Sequence, residues 1–234
     1  MEAGGDRLIL FVVTSHGQLG DSGKPTGYYL PEVTHPHRAL VNRGFAVEFA
    51  SPNGGKPPMD PGSVHAADDV SRKFLATETW CEGLYNSLRP EQVDPGRYRA
   101  VFFAGGHGTM WDFPENEELC SLASSVYVRG GVVAAVCHGP AALLNVRVGD
   151  EFLVSGKTVT CFTNEEETAV ALADVVPFLL EDRLRERGAT IIPAAPFQPQ
   201  VVTSKRLVTG QNPASAEGVG LAVAKLLDGL PSHP

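Results

Sequence analysis

Short apolar runs alternate with helical segments along most of the chain, and this alternation restricts the fold more than any other feature. Leu8 to Val13 reads as a first strand, Gly27 to Asn42 as a helix closed by Gly44, and Ala46 to Ala50 as a second strand. Arg99 to Ala104 is a third strand, running into Gly105-Gly106-His107-Gly108, and Asn116 to Val128 is a helix closed by Gly130. An apolar fourth strand within the run from Gly130 ends at Cys137. Beyond it, Lys157 to Phe162 is strand-like, Glu166 to Arg187 is mostly helical with a break near Pro177, Arg206 to Thr209 is a strand, and Ala214 to Leu227 is a terminal helix. Helices between strands predict an α/β fold with a largely parallel sheet. Ser51 to Ala76, rich in Pro, Gly and Asp, reads as an irregular excursion of the kind that borders a site. No repeat, low-complexity tract or linker divides the chain, so residues 1–234 are expected to form a single domain.

Composition removes several function classes. The 234 residues, 43% hydrophobic and 20% charged, suffice for one full α/β core. A net charge of −8 without a basic stretch gives no footprint for nucleic acid or an anionic membrane. Leu8 to Val13 is too short to span a bilayer and Met1 to Arg7 has no cationic signal region, so a cytoplasmic protein is expected. Cys81, Cys120, Cys137 and Cys161 stand far apart with no C-x-x-C pair, which indicates reduced thiols rather than a disulfide framework or zinc knuckle.

The fourth strand carries the chemistry, because it ends at Cys137, followed by His138 and the turn residues Gly139-Pro140. Strand ends in parallel sheets face the ligand crevice, and a helix starting there would aim its amides at the sulfur and favour thiolate. His138, in the same turn, is the economical general base for the thiol if a carboxylate orients its ring. Glu165, Glu166 and Glu167 offer that carboxylate at a helix start capped by Thr163 or Asn164; two of the three are accounted for by the helix dipole, leaving one to face inward. The amides of Gly106 and His138 form a candidate oxyanion hole. His107 either contacts substrate or packs, and Trp111, Asp112 and Phe113 read as packing residues near the pocket wall. The glycine-rich turn at 105–109 fits neither G-x-G-x-x-G nor a P-loop, so no nucleotide is expected. His35 and His37 lie two apart on one helix and do not share a face, so no metal site is read from histidine spacing.

Class I glutamine amidotransferases place a cysteine in a comparable strand-to-helix turn, but with G-x-C-x-G and a downstream His-x-Glu. Here Ala135 replaces the first glycine, and His233 has no Glu two residues on. Amidotransferase chemistry is therefore not expected.

The segments Val136-Cys137-His138-Gly139-Pro140, Ala104-Gly105-Gly106-His107-Gly108-Thr109, Phe162-Thr163-Asn164-Glu165-Glu166-Glu167-Thr168 and Thr209-Gly210-Gln211-Asn212-Pro213-Ala214-Ser215 together resemble the PfpI superfamily over nearly the whole chain. The resemblance is closest to its heat-shock-type branch of glutathione-independent glyoxalases (glyoxalase III), whose members also act as stress chaperones. It implies a flavodoxin-like three-layer sandwich with a mostly parallel central sheet and a cysteine nucleophile elbow. It also implies a Cys137-His138-Glu167 constellation, with Glu32 of the first helix beside the thiol. A protonated Glu32 would donate to the thiolate and lower the cysteine pKa. The implied activity converts methylglyoxal to lactate through a Cys137 hemithioacetal, with no cofactor, glutathione or metal. A molecular chaperone acting on unfolded clients, a protein deglycase, a peptidase and a redox-sensing stress protein are the alternatives within the superfamily. A homodimer is expected as the commonest symmetric assembly.

Overall fold

The computed structural model describes residues 7–65 and 67–231; the residues before Arg7, Ala66, and the tail with His233 lie outside the described residues. Four strands form the parallel centre of a six-stranded sheet: β1 (Leu8–Val12), β2 (Ala46–Ala50), β3 (Ala100–Phe103) and β4 (Val132–Val136). All residues of β1, β3 and β4 are buried, which is why they read as continuous apolar runs rather than alternating ones. The sheet continues into β10 (Leu207–Gly210), parallel to β4, and ends at β9 (Val201–Ser204), antiparallel to β10, in the order β2-β1-β3-β4-β10-β9. This is the doubly wound, flavodoxin-like order, with its switch point between β1 and β3.

Strand alternation sorts the core into two layers. Ile9, Phe11 and Val13 pack with α1 (Leu30–Val41), α3 (Asp69–Ala76), α4 (Glu78–Tyr85) and α9 (Ala216–Gly229). Leu8, Leu10 and Val12 pack with α5 (Thr109–Asp112), α6 (Glu117–Val128) and α8 (Leu180–Glu186). The hairpin β5 (Arg147–Val148) and β6 (Glu151–Phe152) and the parallel pair β7 (Thr158–Val159) and β8 (Thr190–Ile191) lie on the second side, and α2 (Pro61–His65) and α7 (Asn164–Ala169) complete the regular structure. Among the described residues no helix is long and apolar enough to cross a membrane.

The structure departs from the sequence expectations in four places. Ser51 to Ala76 is not all irregular, because Asp68 caps α3 by accepting the Ser71 amide at 2.9 Å and Phe74 enters the core. Lys157 to Phe162 pairs as a strand only at β7. Beyond it Thr209 Oγ1 takes the Thr160 amide at 2.9 Å and the Cys137 carbonyl takes the Phe162 amide at 2.9 Å, so the chain leaves its ladder to wrap the end of β4. The helical stretch to Arg187 breaks after α7 at Ala171, which has φ of +58°, well before Pro177. Past Cys137 the chain makes a 3-10 turn over Gly139–Leu143 rather than an α-helix, so little macrodipole reaches the sulfur.

Candidate active site

β4 delivers Cys137 into a backbone conformation that non-glycine residues rarely take, with φ of +60°. Neighbouring chain holds it there: its amide donates to Gly210 O at 2.9 Å, and its carbonyl accepts from Phe162 N at 2.9 Å. Strain of this kind amounts to about 1–3 kcal/mol and persists where surrounding structure over-determines it. The result is an elbow that turns the sulfur away from the sheet and into a cleft of about 340 Å³, lined also by Tyr29, Glu32, Gly106, His107 and His138.

The turn after β3 forms the second wall. Gly106 has φ of +106°, and a Cβ on it would collide with Gly27 O, so only glycine lets the two turns approach. The neighbouring Gly105 amide donates to Glu32 Oε2 at 2.8 Å. The amides of Gly106 and His138, by contrast, donate to no described group, and both residues line the cleft. Two free N–H groups beside a thiol are what a developing oxyanion requires.

Glu32 sits in the first turn of α1, after Pro31 at the favoured N-terminal position, and is fully buried. Burial pushes its carboxyl up to about 8, against the lowering effect of the Cys137 side chain and the Gly105 amide. Its Oε1 has no hydrogen-bond partner among the described residues, and the Cys137 thiol shares the cleft with Glu32. Burial likewise pushes the Cys137 thiol up, with the Glu32, Glu166 and Glu167 carboxyls acting in the same direction. The depressed thiol pKa expected from the sequence is thus corrected: the site has no cation on the sulfur and no α-helix behind it. A protonated Glu32 offsets part of that penalty by removing one negative charge.

On the other side of the thiol, His138 Nδ1 lies 3.3 Å from Cys137 Sγ and its Nε2 lies 2.7 Å from Glu167 Oε2. Local helix chemistry decides which glutamate arrives. Thr163 and Glu166 form a reciprocal capping box at the start of α7, which turns Glu166 back on the cap and leaves Glu165 exposed. Glu167 then faces inward. Its second oxygen, Oε1, lies 2.9 Å from His107 Nε2, so one carboxylate holds two imidazoles whose ring centroids are 4.1 Å apart. Burial acts to raise the Glu167 pKa, but the histidines outweigh it and hold the carboxyl down at about 2. His138 is shifted down, by burial first and by His107 second, against the pull of Glu167.

The donor atoms of His107, His138 and Glu167 all lie within 4.8 Å of one another, a set whose chemistry suits a divalent cation. Sequence spacing had no means of revealing it, because the three come from the turns after β3 and β4 and from the first turn of α7. Both Nε2 atoms are already on the carboxylate, so a cation would have to displace both contacts.

Residues that the sequence singled out as packing behave so. Trp111 stacks on His16 at 5.1 Å, Phe113 meets Phe103 at 5.8 Å, and Asp112 accepts from Thr14 Oγ1 and Ser15 N, each at 2.7 Å. Phe162, Phe197 and Leu19 were missed as cleft-lining residues. Phe162 places its ring 4.5 Å from that of His138. Phe197 is set by Glu166, whose Oε1 accepts the Phe197 amide at 2.7 Å and Asn212 Nδ2 at 2.8 Å. Neither Phe197, in a proline-flanked segment, nor Leu19 carries a local pattern that could have marked it.

Comparison with known proteins agrees with this arrangement. The glutathione-independent glyoxalase HSP31 of Saccharomyces cerevisiae is 32% identical over 228 residues, covering 92% of this chain and 95% of its own. Glyoxalase 3 of Candida albicans is 33% identical over 225 residues, covering 89% and 93%. Among solved structures, Rapid Encystment Protein 24 kDa of Francisella tularensis superposes with a TM-score of 0.92 at 40% identity, covering 94% of this chain and 99% of that one. Glyoxalase III of Candida albicans superposes with a TM-score of 0.88 at 31% identity, covering 94% and 97%. A doubly wound sheet, a cysteine elbow and a match to the DJ-1/PfpI family over residues 26–226 lead to one assignment: the chain belongs to the DJ-1/PfpI family.

Proposed function

We propose that this protein is a glutathione-independent glyoxalase that converts a small 2-oxoaldehyde, methylglyoxal, to the 2-hydroxy acid lactate. The observation that carries the reading is the Cys137 Sγ to His138 Nδ1 contact at 3.3 Å, with His138 anchored on Glu167 at 2.7 Å. The relatives named as glyoxalases support the substrate class. The family match at 26–226 and a core built on both faces of one sheet support treating residues 1–234 as one functional unit.

In this reading His138 draws the proton from the Cys137 thiol as sulfur attacks the aldehyde carbon, C1. Deprotonation on demand suits a thiol whose burial disfavours a standing thiolate. The Gly106 and His138 amides hold the oxygen that becomes negative, and Glu32 keeps a neutral donor at the sulfur. A proton then moves from C1 to C2 through an enediol, leaving a thioester of Cys137 that water hydrolyses. His107 contacts the substrate from the cleft wall. Each step uses only groups of this chain and water.

The holdase alternative needs an extended apolar face, and it is not favoured. Val170 and Phe197, two large exposed apolar side chains, line the cleft mouth, where an aldehyde substrate accounts for them.

The test is lactate formation from methylglyoxal by purified protein with no added thiol. Lactate from the parent and none from Cys137→Ala is the expected result. A parent that forms no lactate, or a Cys137→Ala variant as active as the parent, overturns the reading.

A further inference from the structure

A thiol, a base and an orienting carboxylate would be complete with Cys137, His138 and Glu167, yet a second imidazole occupies the same carboxylate. His107 Nε2 lies 2.9 Å from Glu167 Oε1, while its Nδ1 has no partner among the described residues. The two rings are 4.1 Å apart and differ in one respect that bears on chemistry. The His138 side chain is 1% exposed and closed against the thiol, whereas that of His107 is 19% exposed and opens on the cleft.

The reaction needs two proton positions. Once sulfur is bonded to C1, a proton must leave C1 and another must arrive at C2, the next carbon along. His138, in contact with the sulfur, is beside C1. The second imidazole stands about one ring away, facing the space where the rest of the substrate lies.

Resting on the glyoxalase reading above, we propose that His107 is a second acid–base residue of this reaction, whose Nδ1 delivers the proton to C2 of the enediol and so sets the hand of the 2-hydroxy acid. Atoms and electrons balance through the step. His138 first gives the proton it drew from the thiol to the C1 oxygen, forming the hemithioacetal hydroxyl; its freed Nδ1 then takes the C1 proton, the C1–H pair forms the C1=C2 bond, and the ketone π pair moves to its oxygen. The C1=C2 pair then takes a proton from His107, the C1 hydroxyl passes its proton to the C2 oxygen, and the C1=O of the thioester forms. C1 is oxidised and C2 reduced by the same two electrons, so no outside oxidant enters. Hydrolysis returns the His138 proton to sulfur, and the proton released by water goes to His107. Glu167, held as an anion at about 2, faces both rings and compensates the positive charge whichever of them carries it.

The test uses the full chain with His107→Asn, which keeps an N–H for Glu167 but has no proton to transfer, and His107→Gln as a second variant. Three quantities are read: kcat on methylglyoxal, the enantiomer ratio of the lactate, and the rate at which iodoacetamide alkylates Cys137. The expected result is one enantiomer from the parent, a kcat loss of about 10²–10³-fold in both variants, near-racemic residual lactate, and alkylation within about threefold of the parent. A kcat within about threefold of the parent in both variants overturns the role. So does residual lactate of the parent's enantiomeric purity, alkylation that falls in step with kcat, or a racemic product from the parent. No lactate from the parent overturns the glyoxalase reading itself, a separate failure.

Discussion

The first turns of α1 and α7 each bury one glutamate beside the same Cys137-His138 pair, and the two carboxyls end in opposite states. Glu32 is 0% and Glu167 3% exposed, so water is nearly absent from both. Glu32 is raised to about 8 because burial dominates and its partners are one amide and a sulfur. Glu167 is held at about 2 because two imidazoles share it. Burial sets the penalty for charge, and the partners decide whether that penalty is met. The site therefore holds a neutral acid on one side of the thiol and a fixed anion on the other.

Glu167→Gln breaks this contrast most severely. An amide of the same shape cannot compensate an imidazolium, and the lactate-forming rate is expected to fall about 10³–10⁴-fold. A loss below about tenfold would show that the anion is not used. The same chemical change on the other side, Glu32→Gln, keeps an N–H donor at the sulfur and is expected to lower kcat by less than about tenfold. Equal losses for the two glutamine variants, measured as initial rates on methylglyoxal, would erase the distinction.

Stability against pH sharpens the comparison further. The folded chain keeps a Glu32 proton that the unfolded chain sheds near its usual 4.5, so stability declines as pH rises from there to about 8, by at most about 1.4 kcal/mol per unit. Asp112, raised to about 6 by burial, acts with the same sign but only up to that pH. His37, lowered to about 4 by burial, and Glu167 act in the other sense, removing stability as pH falls. Of these four groups Glu32 is the one that still titrates between pH 6.5 and 8, so urea midpoints there are compared between the parent and Glu32→Gln. The decline is expected in the parent and should flatten in Glu32→Gln; equal slopes would place the proton elsewhere.

The smallest effect separates the two helix caps. Asn116→Ala and Thr163→Ala each remove a side-chain oxygen that accepts at a helix start, from Leu119 N at 2.9 Å and from Glu166 N at 3.1 Å, and each should cost about 1 kcal/mol in a urea titration. The activity should fall only in Thr163→Ala, by a few-fold, because α7 carries Glu167. Equal activity in both would mean that the α7 cap does not position the carboxylate.

Much of the frame was legible in the residues. Strands β1, β3 and β4 are buried throughout, so their apolar runs stand out, and Asn116 marks the start of α6 where the side chain does cap it. The strand-turn at Cys137-His138 was visible for the same reason. Other parts were not. Lys157 to Phe162 has strand composition, but its amides go to Thr209 and Cys137, partners remote in sequence. Pro and Gly between 52 and 62 masked α3, whose cap at Asp68 and buried Phe74 act within a few residues. The unaided residues left Glu165, Glu166 and Glu167 unresolved, because the choice depends on the capping box and on where His138 lies.

By itself the sequence determined the strand-helix alternation, the parallel centre of the sheet and the placing of a thiol and an imidazole at the end of β4, since hydrophobic period and turn chemistry are local properties. Only the tertiary structure decided the charges. That burial raises Glu32 and Cys137, and that His107 and His138 share one carboxylate, depend on how far water is excluded and on which groups from distant segments meet, and neither is written in any one segment.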